Sequence, residues 1–142
     1  MLHDIVHDLD PEERFRYGQL LAYLASSDRN VTREEMSFFE QRLGATLLSP
    51  QRREQLRNCL NVDVDLTSLL GGMQPKTIKL ALRDAAMMTL ADRHIDDEEK
   101  KILLSVGGVA GLGEEEVDKL IAWVIKGYHW MQEGYDQLGI WA

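Results

Sequence analysis

The sequence predicts an all-α fold: a single-domain helical bundle over residues 1–142. Three observations lead there. Pro11, Pro50 and Pro75 each open a helix-like run. Such a position suits proline, whose missing N–H would have no partner in the first turn anyway. Apolar residues then recur at three- and four-residue intervals, with no sustained two-residue alternation. Finally, the two halves resemble each other when shifted by 64 residues. This makes the bundle an internal helix–loop–helix pseudo-repeat, with copies at about 12–60 and 75–127.

The elements follow in order. Asp10 caps a helix whose first turn carries Pro11, Glu12 and Glu13, acids that suit the positive end of a helix dipole. Phe15, Leu21, Ala22 and Ala25 give it one apolar side, and it should end near Ser27. A second helix runs from about Arg33 to Leu43 and stops at Gly44. Ser49 and Pro50 open a third, "SPQRREQLRNCL". Residues 61–74 are the least regular part, read as a connection with one short helical turn and a Gly71–Gly72 break. Pro75 begins the most apolar helix, "PKTIKLALRDAAMMTLA", which belongs at the centre of a bundle because it has little polar face. Met87 and Met88 read as core fillers. A helix from about Asp97 to Ala110 follows, and the last begins at Glu114 and runs through "VDKLIAWVIKGYHWMQ".

Composition narrows the function. The formal net charge is −8 and the longest basic runs are pairs such as Arg52–Arg53. Nucleic-acid binding needs a basic face, so that class is excluded. No stretch reaches the roughly 20 apolar residues of a membrane span, and the acidic start "MLHDIVHDLD" does not read as a secretory signal. The lone Cys59 forms no internal disulfide and suits a reducing, cytoplasmic setting, where it reads as a packed thiol.

The repeat is clearest where "SSDRNVTREEMSFF" lies on "LADRHIDDEEKKIL". Asp28, Arg29, Glu34 and Glu35 are identical to Asp92, Arg93, Glu98 and Glu99, and Val31 matches Ile95. Thr32-x-x-Glu35 and Asp96-x-x-Glu99 both spell a capping box, worth about 1 kcal/mol per cap. Val31 and Met36 add a hydrophobic staple in the first copy, while Lys100 replaces Met36 in the second. Capping accounts for four residues without any ligand. It does not account for Asp28 and Asp92, which sit where a preceding helix ends and the dipole disfavours an acid. A tight loop would let Asp92 share a cation with Asp96 or Glu99.

Hard oxygen ligands of this kind favour Ca²⁺ or Mg²⁺. The spacing is not that of a calcium EF-hand, since Asp97 and Leu103 stand where that loop needs glycine and a bidentate acid. A cation site here would be shorter and assembled from both copies. Residues 92–99 hold five acids and one Arg, against three acids and two Arg in 28–35, so the second copy is the better candidate. The candidate metal ligands are therefore Asp28, Glu35, Asp92, Asp96 and Glu99. His94 reads as a surface residue, and His3 and His7 share helical spacing at a terminus expected to fray.

With "LRDAAMMTLADRHIDDEE" and the repeated Asp-x-x-hydrophobic-x-x-x-Glu signature, the chain resembles the TerB-like family, named for tellurite-resistance proteins. The resemblance covers most of the chain and is strongest over residues 78–104. It implies a bundle of about seven helices with a pseudo-repeat. It also implies a non-enzymatic, cytoplasmic role in bacterial stress response, with acidic residues binding a divalent cation. The family motif falls on Asp92, Ile95 and Glu99, and on Asp28, Val31 and Glu35. The family usually carries glycine after the Asp, whereas this chain has Arg29 and Arg93, each able to pair with the neighbouring acid.

The remaining residues add no catalytic set: there is no GxSxG, P-loop, GxGxxG, HExxH or Cys–His pairing. Arg83–Asp84 reads as an ion pair at the bundle surface, with a buried acid facing the acidic cluster as the alternative. Tyr128, Trp130, Tyr135 and Trp141 read as a tail covering the core, with a partner surface as the alternative. The expected function is thus a TerB-like module binding a divalent cation at its acidic turns, the alternative being a metal-free module that binds other proteins.

Overall fold

The computed structural model describes residues 3–27, 30–90 and 94–140. Among them lie seven α-helices and no strands: α1 Pro11–Ser26, α2 Arg33–Ala45, α3 Pro50–Asn58, α4 Leu66–Leu70, α5 Pro75–Thr89, α6 Asp97–Val109 and α7 Glu114–Leu138. Two short 3₁₀ turns, Ile5–Asp8 and Cys59–Asn61, also lie among the described residues.

The helix starts follow their capping chemistry. Asp10 accepts from the Glu13 N–H at 2.8 Å and Ser49 from the Arg52 N–H at 3.2 Å, each just ahead of a first-turn proline. Thr32 accepts from the Glu35 N–H at 3.1 Å, while the Glu35 carboxylate takes the Thr32 N–H at 3.2 Å, closing a capping box. Asp96 accepts from the Glu99 N–H at 2.8 Å. α1, α2 and α3 begin at residues 11, 33 and 50, and α5, α6 and α7 begin at 75, 97 and 114. Each start in the second half thus lies 64 residues after its counterpart.

α5 is the central helix, packed by α1, α2, α6 and α7. Ile78, Leu80, Ala81, Leu82, Ala85, Ala86 and Met88 are buried, so the nearly all-apolar character read from the sequence is used on several sides. Tyr17, Leu20 and Leu21 from α1, Phe39 and Leu43 from α2, Leu56 from α3, and Leu103 and Val106 from α6 complete the same core. Gly18 permits a close approach: a Cβ there would meet Leu56, which packs against the backbone of α1.

Three expectations need correction. The segment around His3 and His7 is anchored: Val6 and Leu9 are buried, and Asp4 pairs with Arg42 at 2.7 Å. The last helix runs on through Gly134 to Leu138, where Gly139 ends it with φ +66°. Trp141 lies outside the described residues, and the other C-terminal aromatics do not act together as a cover. Tyr128 is half-buried and donates its hydroxyl to the Met87 carbonyl at 2.9 Å, but Trp130 remains 69% exposed. It sits on a flank of α7 turned away from α5.

Candidate functional site

Two regions bear on function, and a third, read as surface, proves structural. The first is the acidic cleft between the starts of α2 and α6. Glu35, Asp96, Glu98 and Glu99 line one hollow of about 100 Å³, together with Leu24 and Ala85. The tertiary fold therefore brings the acids of both turns to one place. Asp28 and Asp92, the two residues that capping left unexplained, lie outside the described residues. Among the described residues, no three His, Cys, Asp or Glu side chains form a ready metal cage.

The chemistry of the donors can still be read. Glu35 uses Oε1 for the Thr32 N–H, and Asp96 uses Oδ1 for the Glu99 N–H. A carboxylate offers about four lone-pair sites, so one capping bond leaves room for a cation. The Glu99 backbone N–H holds the Asp96 carboxyl below its usual range, helped by a hydrogen bond with the Glu99 side chain and by His94. Asp96 is thus kept in its charged form, as a hard cation requires. Lys100, which takes the staple position in this copy, turns to α7 instead and pairs with Asp118 at 2.9 Å and Glu114 at 3.6 Å.

The second region is the outer face of α7. Trp123 is 54% exposed, Trp130 69% and Leu138 73%, with Met131 beside them. Only Val117 and Val124 of this 25-residue helix are buried. The helix is apolar over a wider arc than the core covers. Periodicity already places Trp123 and Trp130 on one side; only the packing reveals that this side faces outward.

The third region was read from the sequence as a surface ion pair. Asp84 is in fact 1% exposed. Its carboxylate accepts from the Tyr17 hydroxyl at 2.5 Å, Arg42 Nε at 3.1 Å, and Arg83 Nε and a terminal guanidinium nitrogen at 2.9 and 3.0 Å. Both arginines also reach Asp4, at 2.7 and 3.5 Å. Burial, and then the Asp84 charge, push the Tyr17 hydroxyl well above its usual range, so it stays a donor. Desolvation works to raise the Asp4 carboxyl, but the Val6 N–H, Arg42 and Arg83 outweigh it and hold the value low. Every member is matched by an opposite charge or a hydrogen bond, which is how a buried acid becomes tolerable. The network ties the N-terminal turn, α1, α2 and α5 together. No sequence signal finds it, because its members lie far apart along the chain.

No protein-family model, curated protein or solved structure matches this chain.

Proposed function

We propose that the chain is a non-enzymatic helical interaction module that works by holding another protein against the outer face of α7. The observation that carries this reading is the exposure of Trp123, Trp130 and Leu138 along one helix. Large aromatic side chains are the anchors that dominate protein interfaces. A contiguous apolar patch is costly to leave in water unless something covers it. In a cell producing the chain with a benzophenone side chain at position 130, light should yield an adduct with a protein. No protein adduct would remove the reading.

A second reading keeps the TerB-like expectation: a module that binds Ca²⁺ or Mg²⁺ at its acidic turns, in a bacterial stress response of the tellurite type. Its support is the convergence of Glu35, Asp96, Glu98 and Glu99 on one cleft. The common 64-residue offset of the helix starts supports the pseudo-repeat that this reading assumes. Calorimetric titration with Ca²⁺ and Mg²⁺ tests it, with Asp92→Asn as the comparison. Neither heat nor a thermal shift at about millimolar cation, the weak end of known calcium sites, would sink it.

A further inference from the structure

The exposed face of α7 has a pattern beyond its hydrophobicity. Trp123, Gly127, Trp130 and Gly134 follow one another at four, three and four residues, which makes a single stripe along the helix. Glycine inside a helix is unfavourable relative to alanine. Nothing among the described residues explains these two: a Cβ on either would meet no atom within 4 Å. Each glycine therefore leaves a shallow notch beside an exposed indole. On the flank of the stripe lie Lys126 and Glu133, both exposed and without an ion-pair partner among the described residues.

We propose that the occupant of this face is a second copy of the chain, its α7 laid antiparallel across the first about a two-fold axis between residues 128 and 129. This deepens the interaction reading above and rests on it. In that register Trp123 stands opposite Gly134 of the other copy, and Trp130 opposite Gly127. Each indole enters one notch, and symmetry makes four such contacts. A two-fold interface must be self-complementary in this way. The same axis brings residues of one flank to the same flank of the other helix, so Lys126 faces Glu133 of the other copy, and the reverse pair follows.

The register also avoids a clash. The part of α7 held against α5 lies before the axis, from Val117 and Val124 to the Tyr128 hydroxyl that bonds the Met87 carbonyl, and the overhanging part lies after it. The two bodies then sit on opposite sides of the axis. An indole buries about 150–250 Å². With Trp123 and Trp130 only 54% and 69% exposed, they and the exposed parts of Met131 and Leu138 offer roughly 500 Å² per copy, at the low end of specific interfaces. A lipid surface fits less well: the polar side of α7 carries Glu115, Asp118, Glu133 and Asp136 against Lys119 and Lys126, whereas interfacial helices are rich in basic residues there.

The test is sedimentation and light scattering of the full chain at about 100 μM, a concentration that saturates a micromolar dimer. A dimer is expected. Lys126→Glu and Glu133→Lys should each weaken the dimer Kd severalfold across a dilution series, and the double exchange should restore it, because the pair is rebuilt across the axis. Trp130→Glu should give a monomer with an unchanged helical circular dichroism spectrum. A monomer at every concentration overturns the proposal, as does a dimer that the single exchanges leave intact. The benzophenone experiment keeps the two readings apart. An adduct between position 130 and a different protein, with the purified chain monomeric, removes the self-pairing alone, and no protein adduct at all removes both.

Discussion

Replacing Asp84 by asparagine tests the buried network most directly. The side chain keeps its shape but loses its charge and one acceptor oxygen. Its amide nitrogen must then confront donors from Arg42 or Arg83, which now approach at 3.1 and 2.9 Å. Breaking one side of a buried ion pair costs about 3–5 kcal/mol when the remaining charge is stranded. Here both guanidinium groups keep Asp4 as a partner and are partly in water, so about 2–3 kcal/mol is the working figure. For a chain of this length that lowers Tm by roughly 5–10 °C. Tyr17→Phe removes only one of the donors to Asp84 and should cost about 1–2 kcal/mol. Because both changes act on one network, the double variant should cost less than their sum. Urea unfolding of the four proteins measures all of this. An Asp84→Asn cost below about 0.5 kcal/mol, the range of an ordinary surface change, would refute the assignment, and so would strict additivity with Tyr17→Phe.

Further outcomes follow from other contacts. Glu13 is buried on α1, yet accepts from the Gln74 N–H at 2.9 Å and the Thr77 hydroxyl at 3.0 Å; Glu13→Ala should cost about 1.5–3 kcal/mol and expose the first-turn amides of α5 to faster hydrogen exchange. Gly18→Ala should destabilise by about 1–3 kcal/mol through overpacking against Leu56, although the same change in an open helix would stabilise it; a rise in Tm would show that α3 is not seated on α1. The folded-state value of Asp4 is depressed, so the unfolded chain binds its proton more readily. That stability is complete above the ordinary carboxylate range and is lost as pH falls through the lower folded value. Asp4→Asn should therefore flatten the stability–pH curve below about pH 4 and leave the neutral-pH slope unchanged.

The helix starts were legible because capping is local chemistry. Asp10–Pro11, Ser49–Pro50, Thr32-x-x-Glu35 and Asp96-x-x-Glu99 each bond within one turn. The end of α7 was not legible past Gln132, because glycine at 134 lowers helix propensity, yet the helix continues to Leu138. The candidate cleft was half legible. The acids and their doubling were visible in the sequence, but their convergence from two turns was not.

By itself the sequence determined the helical class, the order of the elements, the caps and the central place of the Pro75 helix. These depend on neighbours within a few residues, whose spacing the helix period translates directly into faces and ends. Only the tertiary structure decided that Glu13 would accept from Gln74 and Thr77 at the start of α5. It alone buried Asp84 among Tyr17, Arg42 and Arg83, and turned Trp123 and Trp130 outward. Each of these depends on which helix lies beside which, so the same residue pattern could have served the core or the surface until the packing chose.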